Sequence, residues 1–120
     1  MTEEAPGYNP HYTKEKPPMK RVINGKLYNT KTATLIADYE HLDRNDFGWY
    51  YEALYRTKKR AWFIAGEGNA NSKYAESVAQ NTRGPGEALY PIDDKAAQQW
   101  CEEHQVDPDI IKEFFDIEDA

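Results

Sequence analysis

The dipeptide Asn24-Gly25, set between Arg21-Val22-Ile23 and Lys26-Leu27-Tyr28, constrains this chain more than any other feature. Asn and Gly accept the positive φ angles of a type I′ turn, whose twist matches that of two paired strands, so a β-hairpin is predicted here. A second hairpin follows. From Phe47 onward the side chains alternate, Trp49, Tyr51, Ala53 and Tyr55 pointing one way and Tyr50, Leu54 and Arg56 the other. Thr57-Lys58-Lys59 then turns the chain into Arg60-Ala61-Trp62-Phe63-Ile64-Ala65. Apolar residues on both faces suit a central place in a sheet, or one face under helices and the other open to a partner.

The remaining elements are read from caps and breakers. Thr30 is a candidate N-cap ahead of Thr32-Ala33-Thr34-Leu35-Ile36-Ala37, so a short helix is expected to about Tyr39, with His41 to Asp46 as a polar connection. Gly66-Glu67-Gly68-Asn69 is expected to break the strand, Ser72 to Gln80 to form a short helix, and Arg83-Gly84-Pro85-Gly86 to be a loop. Glu87 to Ile92 reads as one more strand, which Pro91 places at an edge or at its end. Asp93 caps a helix with Ala97, Trp100, Cys101 and His104 on one face. Asp107-Pro108 starts a second helix, a cap followed by proline at the first helical position. Its apolar stripe is Ile110, Ile111, Phe114 and Phe115. Burying those four side chains would contribute roughly 6–12 kcal/mol before entropy costs, so this helix docks.

These signals add up to an α+β fold, a small antiparallel sheet of two hairpins plus one strand packed with C-terminal helices. At 120 residues, 39% of them hydrophobic and 13% aromatic, the chain suits one hydrophobic core. One domain is expected over residues 20–120. Residues 1–19, with Pro6, Gly7, Pro10, Pro17 and Pro18 and no apolar periodicity, read as a disordered tail. No run approaches the roughly 18 apolar residues that span a bilayer. The first twenty residues lack the pattern of a secretory signal. Cys101 is the single cysteine, which leaves no intrachain disulfide in this sequence and suits a small buried side chain. A cytoplasmic, reducing setting without membrane contact is therefore expected.

Catalytic and metal-binding patterns fail on spacing. Gly66-Glu67-Gly68-Asn69-Ala70-Asn71-Ser72-Lys73 follows a strand, but its glycines stand too close together, Tyr74 follows the lysine, and Glu67 would repel phosphate. His11, His41 and His104 are scattered, and no pair has metal-ligand spacing. Nothing aligns Ser72, Ser77 or Cys101 with a base. The chain reads as a non-enzyme with no cofactor and no metal.

Charge is the remaining signal. The net charge of -6 is unevenly spread: residues 20–60 hold nine Lys/Arg against five Asp/Glu, and residues 93–120 hold two against ten. Arg56, Lys58, Lys59 and Arg60, flanked by Tyr55 and Trp62, surround the second hairpin turn and could grip phosphates while the rings stack bases. At the other end, Glu102, Glu103, Asp109, Glu113 and Asp116 give two short helices an acidic surface. Asp93, Asp94, Asp107 and Asp109 suit helix starts; Glu102, Glu103, Glu113, Asp116, Glu118 and Asp119 stand at the wrong ends for that explanation.

Residues 20–105 also carry a resemblance. Lys20 to Thr30 with Thr32-Ala33, then Leu54-Tyr55-Arg56-Thr57-Lys58, Trp62-Phe63, Gly66-Glu67-Gly68, Ser72-Lys73-Tyr74-Ala75-Glu76-Ser77 and Pro91-Ile92 with the helix of Trp100, carry it. In these the chain resembles a family of small uncharacterised bacterial proteins common on phages, plasmids and other mobile elements. The resemblance implies a lineage and brings no activity or site residue with it. By analogy of context and charge, it implies an accessory protein acting on host machinery. The expected function is inhibition of a nucleic-acid-handling host protein, with the anti-CRISPR kind as the specific case and the acidic surface bound to a basic partner such as a CRISPR effector. The alternative is a nucleic-acid-binding module built on the basic aromatic hairpin.

Overall fold

A computed structural model describes residues 18–120. Positions 1–17, which hold nearly all of the expected tail, lie outside the described residues. Met19, assigned above to the tail, belongs to the fold: its N–H donates to Thr30 Oγ1 and its carbonyl accepts from Thr30 N–H.

The Asn24-Gly25 hairpin forms as expected. Strands β1 (Lys20–Ile23) and β2 (Lys26–Asn29) pair across Asn24 and Gly25, whose φ angles are 51° and 79°. The main sheet has four antiparallel strands in the order β3-β4-β5-β8: β3 (Thr34–His41), β4 (Tyr50–Arg56), β5 (Trp62–Gly68) and β8 (Gly86–Ile92). Between the last two, β6 (Glu76–Ala79) and β7 (Thr82–Gly84) make a small separate hairpin. Helices α1 (Asp94–Glu103) and α2 (Pro108–Phe114) complete the chain. The architecture is α+β, with the C-terminal helices packed on the sheet.

Four stretches differ from the sequence reading. The helix expected from Thr30 to Tyr39 amounts to one turn, in which Thr32 and Ala33 N–H donate to Asn29 O, and the chain then runs on as β3. Its residues Thr34 and Ile36 are β-branched, and β4 pairs with it over Thr34–His41, so the strand wins. The helix expected over 72–80 is instead a turn followed by β6. Ser72 Oγ bonds Asn69 O and receives the Tyr74 N–H, closing a tight turn, and Glu76–Ala79 then pair with Thr82–Gly84 as a hairpin, which holds this stretch extended. Gly66 and Gly68 do not end β5, which pairs with β4 and β8 as far as Gly68. Of the loop expected over Arg83-Gly84-Pro85-Gly86 only Pro85 lies outside a strand, because Arg83 and Gly84 pair with β6 and Gly86 pairs with Gly68.

Both faces of the central strands are covered. On one, Leu54, Trp62 and Ile64 pack with Ala97, Trp100 and Cys101 of α1, while Ile111, Phe114 and Phe115 close over them. On the other, Phe63 and Leu89 pack with Tyr28 of the β1–β2 hairpin. The two-sided apolarity of 50–65 thus reflects a central hairpin packed on both faces, with Tyr50, Tyr51 and Tyr55 half-buried at its two ends. Pro91 lies in β8, at the edge of the sheet, as its missing donor requires. Both helix starts match the reading: Asp93 accepts from Ala96 N–H, and Asp107 accepts from Asp109 N–H with Pro108 in the first turn.

Candidate functional site

Glu52 lies on the helix-facing side of β4, in register with Gly66 of β5, and is fully buried. Three donors meet its carboxylate. Trp100 Nε1 of α1 donates to Oε1 at 2.8 Å, Tyr74 Oη donates to Oε2 at 2.6 Å, and Lys73 Nζ lies 2.6 Å from Oε2. Burial alone would raise the acid, but the hydrogen bonds from Lys73, Tyr74 and Trp100 and the Lys73 charge outweigh it, so Glu52 is held below the usual glutamate range. Burial would lower Lys73, but bonding to Glu52 and its charge raise it above the ordinary lysine value. Tyr74 is driven well above the usual phenol range by burial first and by its bond to Glu52.

The loop that delivers Lys73 and Tyr74 is itself tied down. Asn69 Nδ2 donates to the carbonyls of Arg44 and Asp46, and Asn71 N–H donates to Phe47 O. The loop can lie flat on the sheet because β5 carries glycine beneath it: a Cβ at Gly66 would overlap the Tyr74 ring, and one at Gly68 the Ser72 side chain. Chemically, the cluster is a clamp. A carboxylate held ionised, with both oxygens taken by donors, fastens a loop and a helix to the sheet.

Around it stands an aromatic and imidazole patch. His41 stacks on Tyr50 at 4.8 Å between centroids, Lys73 Nζ lies 4.8 Å over Tyr50, and Tyr39 Oη sits 3.0 Å from His41 Nδ1. His104 rests against Tyr39 and Trp100. Two histidines that are far apart in sequence therefore flank one tyrosine; His11 lies outside the described residues. Among the described residues no group of three or more His, Cys, Asp or Glu is placed to hold a metal ion.

The acidic residues singled out in the sequence sit outward. Glu102 and Glu103 end α1, Asp109 and Glu113 lie on α2, Asp116 follows it, and all five are exposed. Gln98 Nε2 donates to Glu102 at 3.0 Å. Among the described residues no ion pair joins these carboxylates to Lys58, Lys59 or Arg60, so the opposite charges do not neutralise one another through contact.

The basic hairpin is placed differently from the expectation. Lys58, Lys59 and Arg60 are exposed at its turn. Arg56 instead folds inward, its guanidinium 4.9 Å from the Trp62 ring and 5.3 Å from Phe114. Trp62 is only 2% exposed, stacked on Phe115, with Nε1 donating to Asp94 Oδ1. Tyr55 stacks on Phe63 at 5.2 Å. Trp62 is therefore not free to stack a base, and half-buried Tyr55 has one ring face taken by Phe63. The reason is register: Arg56 and Trp62 are cross-strand partners on the helix-covered face, and Tyr55 and Phe63 are partners on the other.

Sequence reasoning passed over Glu52 and Tyr74, and weighed Lys73 only as a phosphate ligand. A signal for Glu52 was present. It is an acid at a core-facing position of an otherwise apolar central strand, and such a group requires donors. Comparison of the chain with protein-family models, curated proteins and solved structures finds no match.

Proposed function

We propose that this protein is a non-enzymatic binding protein that engages a basic partner through the acidic face of α1 and α2. The observation that carries the reading is the outward array of Glu102, Glu103, Asp109, Glu113 and Asp116, which has no cationic partner among the described residues. Glu102, Glu103, Asp109 and Glu113 ride on helices anchored by Trp100, Cys101, Phe114 and Phe115, and Asp116 follows directly, so the surface is presented on a packed support. A field of fixed carboxylates complements a groove that normally holds a phosphate backbone. The partner proposed is a nucleic-acid-handling host protein, with a CRISPR effector as the specific case. The mobile-element setting in the bacterial cytoplasm rests on the sequence resemblance. No helix among the described residues is long and apolar enough to cross a membrane.

The test is capture of partners by the tagged full chain, alongside a variant carrying Glu102→Gln, Glu103→Gln, Glu113→Gln and Asp116→Asn. A basic nucleic-acid-binding protein should be retained by the first and lost by the second, with binding that weakens in salt. Equal retention by both would defeat the acidic-surface reading. The alternative, direct nucleic-acid binding by Lys58, Lys59 and Arg60, predicts a steep salt dependence of oligonucleotide binding. It has less support, because Arg56, Tyr55 and Trp62 are committed to internal contacts.

A further inference from the structure

A groove of about 490 Å³ runs between β2, the turn before β3 and the β4–β5 turn. Leu27, Tyr28, Ala33 and Ala61 contribute apolar surface, Lys26, Lys58 and Lys59 supply three ammonium groups, and no carboxylate lines it. Leu27 is 60% exposed although it is a large apolar residue. This surface is distinct from the acidic face of α1 and α2.

One wall of the groove is an unpaired strand edge. Thr30 N–H donates to Met19 O, and Ile23 pairs with Lys26 across the tight turn. The bonded pairs of the hairpin are therefore 19–30, 21–28 and 23–26, which directs the peptide groups of Leu27 and Asn29 away from β1. Asn29 O is taken by Thr32 and Ala33 N–H. The N–H and C=O of Leu27 have no backbone partner among the described residues. An open β edge above an apolar floor and under three lysines fits an extended peptide that alternates acidic and apolar side chains.

This chain contains such a peptide. Asp116-Ile117-Glu118-Asp119 follows α2, and Phe115 already has extended φ and ψ of -131° and 153°. Asp116, Glu118 and Asp119 are exposed, and Ile117 is 37% exposed. Its root and the groove lie at the same end of the sheet: Phe114 and Phe115 touch Trp62, next to Ala61 of the groove. Two copies meeting at that end about a two-fold axis would bring each acidic segment to the other's groove, a closed and self-complementary arrangement. We infer that the groove is a strand-docking site whose occupant is the Asp116–Asp119 segment of a second copy. Ile117 covers Leu27, the carboxylates face Lys26, Lys58 and Lys59, and the Leu27 peptide groups gain partners.

Light scattering after gel filtration, over about 10 µM to 1 mM full-length protein, tests this. The chain should form a dimer that loosens in high salt. A groove variant (Lys26→Glu, Lys58→Glu, Lys59→Glu) and a segment variant (Glu118→Lys, Asp119→Lys) should each be monomeric, and an equimolar mixture should restore a one-to-one dimer. That restoration also shows that neither variant has simply unfolded. A monomeric parent chain under all conditions overturns the proposal, as does a dimer that survives in both variants. If the parent is monomeric and an oligothymidylate binds it through Lys58 and Lys59, the groove belongs to nucleic acid and the proposal falls. Asp116 is left unchanged and the readout is self-association, so failure here is separable from failure of partner capture.

Discussion

Trp100 Nε1 of α1 donates to Glu52 Oε1 of β4 at 2.8 Å, across 48 positions of sequence. This single bond joins the first C-terminal helix to a central strand at the point where Lys73 and Tyr74 also arrive. A buried acid here is stable only because its donors come from separate elements, so its behaviour reports on the assembled fold.

Glu52→Gln is expected to cost about 2–4 kcal/mol at neutral pH, since the amide cannot accept from three donors; half-exposed Lys73 can turn to water, which keeps the figure from being larger. The pH dependence follows from the directions of the shifts. Glu52 is held below its unfolded value, so its contribution is complete above that value and is lost as pH falls through the folded one. Lys73 is raised, so its contribution is present below its unfolded value and lost as pH rises through the folded one. Urea denaturation across pH should show both limbs in the parent protein and neither in the variant. Parallel curves would rule the clamp out as the source.

Gly66→Ala should destabilise by about 1–3 kcal/mol, because the added methyl must displace the Tyr74 ring that Glu52 holds in place. Tyrosine fluorescence and the urea midpoint should both shift. An unaltered midpoint would mean that the loop 69–75 yields freely.

Phe114→Ala removes one of the two rings that flank the Arg56 guanidinium and the edge contact to Trp62. A loss of about 2–3 kcal/mol is expected, below that of a fully buried phenylalanine because Phe114 is partly exposed. Hydrogen exchange should accelerate in α2 ahead of β4 and β5. Protection of α2 that stays at the parent level would show that the helix is held by other contacts.

Cys101 is fully buried, and burial first, then the nearby Glu102 charge, pushes its thiol up to about 11. At pH 8 the thiolate fraction is then on the order of one in a thousand, and the reagent must also wait for an opening. Iodoacetamide should label the native chain at least about 100-fold more slowly than the chain in urea. Comparable rates would show that α1 leaves the sheet readily.

Local sequence chemistry determined much of this protein. Asn24-Gly25 specified its hairpin, Asp93 and Asp107-Pro108 specified where both helices begin, and the alternation after Phe47 specified β4, each through backbone groups a few residues apart. The outward placement of Glu102, Glu103 and Glu113 follows from the same helical periodicity. Tertiary structure decided the rest. Thr34–His41 and the stretch from Ser72 to Gln80 have mixed local preferences, and a pairing strand or a turn-forming Ser72 settled each. The same is true of Arg56 and Trp62, exposed cation and base-stacker by sequence but drawn inward once α2 supplies Phe114 and Phe115. Glu52, Lys73, Tyr74 and Trp100 become one cluster only when strand, loop and helix converge, because a buried charge is satisfied by neighbours in space, which sequence spacing does not record.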